Sequence, residues 1–449
     1  MSHRCRLHEP SRPVCHPLAT GAPRARIHPA ALGAVVLSLA LARPATASVL
    51  DLFGYGARGM ALAGAAATTA EGHAAVYYNP AGLGFERHRT FSLGYQHAVF
   101  DLSRDGEAAD VPGAPATLIG MSIPLPLGGV MTERLALGAG FVIPFGSVLV
   151  ADVPRPGEPS FVLLESRAQT VSLQLALGAR LCDWFSVGGG FIALAELGGG
   201  IKVAPNETGR IGSTVHDELL ADYAPTAGAL ARLGREVSAA LVFRGESKAT
   251  FSLPLDANLG ETFPLPVPPL NITGVAQYDP RQIAFELSGR PPGMPVIVAG
   301  GATWKQWSRF PNPIVFTAVR PGDAPQPLPG FGDTWVVRLG AEGRFGGSSE
   351  GGLATRAESG GLTFSPRVGY AFERSPVPPQ QGFHNFVDND RHLAALGLGL
   401  AWQSLRFDLG GQWHHLVLQT EHKASGGPVP TYKHGGDILA WGLELGVHL

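Results

Sequence analysis

A two-residue hydrophobic period recurs from about residue 89 to the end of the chain, and it restricts the possible folds more than any other feature. Val171, Leu173, Leu175 and Leu177 alternate with Ser172, Gln174, Ala176 and Gly178. Phe364, Pro366, Val368, Tyr370 and Phe372 alternate with Ser365, Arg367, Gly369 and Ala371, and Leu405, Phe407 and Leu409 with Arg406, Asp408 and Gly410. The last stretch puts Leu439, Trp441, Leu443, Leu445, Val447 and Leu449 on one face and Ala440, Gly442, Glu444, Gly446 and His448 on the other. This is the period of a β-strand whose two faces meet different surroundings. Helical periods are scarce, and the longest uncharged apolar run, Ala30 to Ala42, has 13 residues. A helix needs about 18–20 to cross a bilayer, so an α-helical membrane protein is excluded. Gly (60) and Pro (38) are abundant, but 45% hydrophobic content argues for an ordered chain rather than a low-complexity one.

About fourteen alternating segments can be marked, at 89–103, 114–124, 132–145, 162–180, 183–199, 214–231, 234–248, 272–288, 295–310, 331–345, 362–374, 391–403, 404–420 and 436–449. On pattern alone twelve or sixteen stay open. Long connections (104–113, 146–161, 200–213, 249–271, 311–330, 375–390, 421–435) alternate with mostly tight ones, such as Leu233-Gly234 and Gln403-Ser404. An even number of strands, with short turns at one end and long loops at the other, describes an all-β fold, a transmembrane antiparallel β-barrel of the outer-membrane kind. Closure is required there because lipid offers no partner to an unpaired strand edge. A soluble propeller or sandwich could share the alternation, but a propeller needs a repeat near 40–50 residues and none is found. Trp184, Trp304, Trp335, Trp402, Trp413 and Trp441 fit an interfacial girdle.

Residues 1–47 carry six Arg and one acid (Glu9), then the apolar run, then Ala45-Thr46-Ala47. That is the layout of a secretory signal peptide, with an unusually long basic stretch. Without it, 28 basic and 35 acidic residues remain, a net of about −7, so nothing basic is left to favour nucleic acid. Cys5 and Cys15 leave with the leader, and Cys182 alone cannot form an intramolecular disulfide.

Several strings match catalytic or cofactor motifs but fail on context. Gly54-x-Gly56-x-x-Gly59 follows a leader rather than a strand, and no βαβ unit comes after it. Gly347-x-Ser349-x-Gly351 lacks the apolar strand and helix of a nucleophile elbow and reads as linker. Asp388-Asn389-Asp390 lacks the Gly and distal Glu of a calcium loop and reads as a polar cap on the following strand. His414 and His415 are adjacent, so on a regular strand they face opposite ways. No cofactor, metal or catalytic residue is assigned.

At the start of the mature chain, Gly54-Tyr55-Gly56-Ala57-Arg58-Gly59-Met60 leads to Tyr77-Tyr78-Asn79-Pro80-Ala81-Gly82-Leu83. Pro144-Phe145-Gly146, Trp304-Lys305-Gln306-Trp307-Ser308-Arg309-Phe310, Ser375-Pro376-Val377-Pro378 and Asp388-Asn389-Asp390-Arg391-His392 follow in order. Together they resemble the FadL/TodX family of outer-membrane transporters for long-chain fatty acids and other hydrophobic compounds. The resemblance implies fourteen strands in 89–449 and a hatch of residues 48–88 in the lumen, in which Gly54, Gly56, Gly59, Asn79, Pro80 and Ala81 shape the turns. It also implies a lateral exit, for which Pro144, Phe145 and Gly146 are the candidates because Pro has no ladder donor and Gly no side chain to fill the wall. Three features depart from the family: Leu449 where an aromatic residue usually ends the chain, the long segment 346–360 on the short-turn side, and Pro366 inside a strand, for which a local bulge is expected.

The apolar connection 249–271, with Phe251, Leu253, Leu255, Phe263, Leu265, Val267 and Leu270, is the candidate capture surface together with 146–164. Trp307, Arg338, Arg367 and Arg406 fall on inferred inward faces, where an Arg could pair with a ligand carboxylate. The expected function is passive outer-membrane uptake of a hydrophobic small molecule, a long-chain fatty acid foremost, by a monomer. Its other partners would be outer-membrane lipid and the barrel assembly machinery. A structural or adhesion barrel and an outer-membrane lipid hydrolase are the alternatives.

Overall fold

The computed structural model describes residues 49–145, 159–164, 171–205, 211–234, 236–257, 270–316, 328–346, 361–381, 385–423 and 431–449. The expected leader (1–47), Gly146, Phe263, Leu265 and the Gly347–Gly351 string lie outside them. Fourteen strands make the wall: β1 Thr90–Arg104, β2 Ala116–Pro124, β3 Leu135–Pro144, β4 Ser172–Cys182, β5 Phe185–Pro205, β6 Ile211–Leu233, β7 Val237–Arg244, β8 Arg281–Gly289, β9 Val296–Gln306, β10 Thr334–Gly343, β11 Thr363–Glu373, β12 Arg391–Trp402, β13 Leu405–His422 and β14 Thr431–His448. Each is antiparallel to the next. The wall closes where β14 pairs with β1, from Thr90↔His448 to Arg104↔His434. Closure leaves no wall edge for lipid to strand, which is what the alternating sequence required.

Each segment read from the alternation overlaps one wall strand, several of which run a few residues further than the segment. The corrections concern the loop side. Of segment 162–180, the described strand begins at Ser172, and residues 162–164 are turn. Phe251 and Leu253 lie not in an irregular loop but in a strand, Ser247–Ala257, which pairs with Leu270–Asp279. That hairpin continues β7 and β8 beyond the wall and adds parallel to the outer part of β5. Pro366 causes no bulge: it keeps register with Leu398 on β12. On its other side the ladder is interrupted between Glu342↔Arg367 and Phe345↔Phe364, so the missing donor falls in a gap.

The outward face is apolar and exposed, with Phe91, Leu93, Leu177, Val337, Leu339, Leu396, Leu443 and Leu445 among its residues. Trp184 and Trp402 stand outward at the short-turn end, while Trp335, paired with Trp304, stands at the loop end. These positions fit anchoring at two interfaces. The inward residues of the same strands are buried and mostly small or polar, among them Ser92, Gln96, Gln174, Glu286, Arg367, Asp408 and Gln412.

Candidate functional site

The lumen is occupied by residues 49–88, which fold as three short helices, α1 Val49–Phe53, α2 Ala57–Ala61 and α3 Ala74–Tyr78, and a 3₁₀ segment, Pro80–Phe85. Short helices joined by tight turns need glycine. Gly54 (φ 82°) and Gly56 (φ 79°) turn the chain between α1 and α2. A Cβ on Gly59 would overlap the Tyr78 ring, whose hydroxyl accepts the Tyr55 N–H at 2.9 Å. Asn79 is completely buried. Its Oδ1 accepts the Ala81 N–H (3.1 Å), capping the 3₁₀ segment, and its Nδ2 donates to the carbonyls of Ala67 (3.0 Å) and of Ala229 on β6 (3.3 Å). Pro80 follows as the first 3₁₀ residue, where its fixed φ fits and no donor is lost.

The wall meets this segment with glycine. A Cβ on Gly120, Gly138, Gly178, Gly188, Gly228, Gly340, Gly369, Gly397 or Gly410 would press on His73, Val76, Gly84, Pro80, Asn79, Leu62, Leu62, Ala61 or Ala57 respectively. Nine strands (β2–β6 and β10–β13) thus let the hatch lie directly on wall backbone, with hatch main chain at Gly178, Gly188, Gly340, Gly369 and Gly410 and hatch side chains at the other four. Tyr55, Met60 and Leu83 are fully buried in the same lumen, each contributing about 1.5–3 kcal/mol by burial.

Charges fix the hatch in place. Arg58 bonds Glu342 (2.6 Å), Arg367 bonds Glu342 (3.2 Å) and Asp408 (2.6 Å), and Arg406 bonds Asp408 (2.7 Å) and Glu71 (2.9 Å). Burial alone would raise the Glu71 carboxyl, but Arg406, Arg344 and Arg58 outweigh it and hold it down at about 2. Arg367 and Arg406, both inward as expected, therefore belong to the attachment of the hatch and do not line the cavity.

Beside this network His73 spans the closing seam, with Nδ1 3.0 Å from Ser92 Oγ on β1 and Nε2 3.0 Å from Glu444 on β14. The order Ser–His–Glu is that of a hydrolase relay. Ser92 is only 4% exposed and lines neither cavity, so the group acts as a tie between hatch and wall.

Between the hatch and the inner wall of β7–β12 lies a cavity with about 940 Å³ of empty space, part of it open to solvent. Leu52, Phe53, Val242, Ala284, Val336 and Leu393 supply its apolar lining, and Arg338 and Arg244 its principal polar donors. Arg338 donates from Nη1 to Thr303 Oγ1 (2.7 Å). Arg244 donates to the Tyr77 carbonyl (2.8 Å) and stacks 4.0 Å from the centroid of the Tyr77 ring. Among the described residues, neither guanidinium has a carboxylate within ion-pair distance, whereas Arg391 in the same lining is paired with Glu373.

Trp307 follows the end of β9 in a 3₁₀ turn and is 2% exposed. It packs with Val162, Leu163, Tyr278, Phe310, Phe331 and Phe386 in an aromatic cluster at the loop side, where Phe310 and Phe331 stack at 4.4 Å. Beneath it a smaller cavity is bordered by Trp307, Leu163, Pro376, Asp388 and Asn389. Burial pushes the Asp388 carboxyl up to about 6, with Arg391 opposing and Glu373 reinforcing the shift. Asn389 donates to the carbonyls of Val417 (2.7 Å) and His434 (3.1 Å), and the Asp390 carboxylate accepts the Ser375 N–H, so this polar stretch caps the loops above β12.

Pro144 is the last residue of β3. The ladder to β2 continues through Ala116↔Pro144, while among the described residues that to β4 ends at Val142↔Ser172, and Phe145 donates to the Pro115 carbonyl (3.2 Å). Asp51, Arg244 and Glu373 were not singled out from the sequence, and Lys305 and Arg391 only as members of the strings that carry the resemblance. For Arg244 and Glu373 the signal would have been strand parity, since they share faces with Val242 and Ala371; Asp51, on a hatch helix, carries no such signal.

A closed antiparallel barrel of fourteen strands matches the fold of solved FadL/TodX structures, so the resemblance read from the sequence is borne out at the level of the barrel. The chain is similar to alkane uptake protein A of Marinobacter nauticus, at 22% identity over 432 residues, 88% of this chain and 90% of that protein. Among solved structures it matches a Pseudomonas aeruginosa FadL homologue (TM-score 0.54, 15% identity, 88% of this chain and 97% of that one). It also matches the Ralstonia pickettii toluene transporter TbuX (TM-score 0.53, 16% identity, 89% and 100%) and the Pseudomonas putida toluene transporter TodX (0.52, 13%, 89% and 99%). No family model matches the chain.

Proposed function

We propose that this protein is an outer-membrane transporter for passive uptake of hydrophobic small molecules, with long-chain fatty acids as the substrate class the cavity suits. In this reading residues 1–47 are an export signal, 48–88 the hatch and 89–449 the barrel. The observation that carries the substrate is a cavity of mixed lining in which apolar side chains surround two guanidinium groups, Arg338 and Arg244; Asp51, Glu286 and Glu373 also line it, but among the described residues no carboxylate is ion-paired to either guanidinium. An alkyl chain gains about 0.8 kcal/mol for each CH₂ taken out of water, and a carboxylate head can take a charge-assisted bond from Arg338. The relatives named for alkane and toluene support hydrophobic cargo in general.

Removing one such bond costs about 1.5–3 kcal/mol, so Arg338→Gln should weaken fatty-acid binding by roughly ten- to a hundredfold while binding of an alkane of equal length changes little. Titration of the detergent-solubilised barrel with both ligands measures this, and equal weakening of both would refute the head-group role. A mass spectrum of the ligand extracted from purified protein identifies the natural cargo.

Release is assigned to the wall beside Pro144, where the described β3–β4 ladder ends. Replacing Pro144 and Gly146 with Val should slow uptake several-fold and leave heat-modifiable migration intact. Undiminished uptake by that variant excludes this exit.

A further inference from the structure

The larger and smaller cavities meet at four residues that line both of them: Asp51 and Leu52 of α1, Glu373 of β11 and Arg391 of β12. The partition is built from charge. Lys305, completely buried, donates from Nζ to Asp51 Oδ2 (3.1 Å) and to Glu373 Oε1 (2.6 Å). Arg391 pairs with the other oxygen of Glu373, and Gln282 donates to Asp51 Oδ1 (2.7 Å). Of these groups only Asp51 belongs to the hatch; it sits on a five-residue helix whose Leu50, Leu52 and Phe53 are buried and whose Leu50 carbonyl accepts from Tyr77 Oη (2.8 Å). A helix that short has little stability of its own.

We propose that Lys305 and Asp51 form an acid filter between the two cavities, so that Lys305 is a specificity-determining residue for ligands with an anionic head. A carboxylate arriving in the smaller cavity can replace the Asp51 carboxylate beside Lys305. The buried ammonium then stays paired while α1 is released and the two cavities join. A neutral ligand of the same length offers no replacement, and moving α1 would leave the ammonium with half of its counter-charge, which a buried site resists. The inference rests on the transport reading above and adds to it where acid is told from neutral cargo.

The test uses the full barrel in liposomes with hexadecanoic acid and hexadecanol as probes. The wild type should transfer the acid about tenfold faster than the alcohol, and Asp51→Asn combined with Lys305→Met, which removes both charges together, should bring the two rates close to each other. Equal rates in the wild type overturn the filter but leave transport standing, as does an acid preference undiminished in the double variant. Transfer of neither probe by the wild type overturns transport itself and the filter with it. A second measurement needs no variant: hydrogen exchange at residues 49–53 should rise when the acid is added and not when the alcohol is. Exchange unchanged by the acid overturns the proposal.

Discussion

Gly188→Val should leave the chain unable to seat its own leading segment. A Cβ at this position overlaps the Pro80 carbonyl, and both partners are main chain, one in a wall strand and the other in the 3₁₀ segment. Overpacking by side chains costs about 1–3 kcal/mol, and a clash between two backbones has less room to relax, so the effect belongs at or above the top of that range. The expected result is a barrel whose residues 49–88 are cut by added protease, or a chain that no longer shows heat-modifiable migration. Leu177→Val, on the exposed outer face of β4, should behave as the wild type in both assays. Equal protease resistance of Gly188→Val and wild type would show that the segment does not dock on β5.

Arg367→Leu should be comparably damaging for an electrostatic reason. The guanidinium joins Glu342 of β10 to Asp408 of β13, and all three side chains are almost completely buried. Removing one member of a buried ion pair costs about 3–5 kcal/mol, because the remaining carboxylates keep their burial and lose their counter-charge. Arg58 and Arg406 still face them, which puts the expected loss near the lower end, about 3 kcal/mol. Denaturant unfolding in detergent, followed by tryptophan fluorescence, gives the value. Arg367→Leu combined with Glu342→Gln should recover part of it, and a single variant as stable as the wild type would mean that the network contributes nothing.

The wall was legible in the sequence because the outward residues of a membrane strand have one tolerable chemistry and the inward ones another. The alternation of Leu405, Phe407 and Leu409 with Arg406, Asp408 and Gly410 therefore states both the strand and its direction. The loop side was less legible. Lengths alone do not say that 249–257 continues as strand, or that Trp307 leaves the ladder one residue after Gln306. The three inward arginines looked alike, since parity gives a face but not a partner. Only the fold shows that Glu342 and Asp408 take up Arg367, and Asp408 and Glu71 take up Arg406, while Arg338 is left to the cavity. The partition at Lys305 depends on Asp51, 254 positions away in the chain, a pairing no spacing rule reaches.

The glycines of the wall have a further meaning for the cell that carries this protein. By giving up side chains where the hatch lies closest, the wall leaves that part of its bore to be filled by about forty residues, 49–88. In the proposed transport cycle, wholesale ejection of that stopper on every turnover would leave a leak. The economical cycle is one in which a single short turn such as α1 shifts while the remainder stays corked.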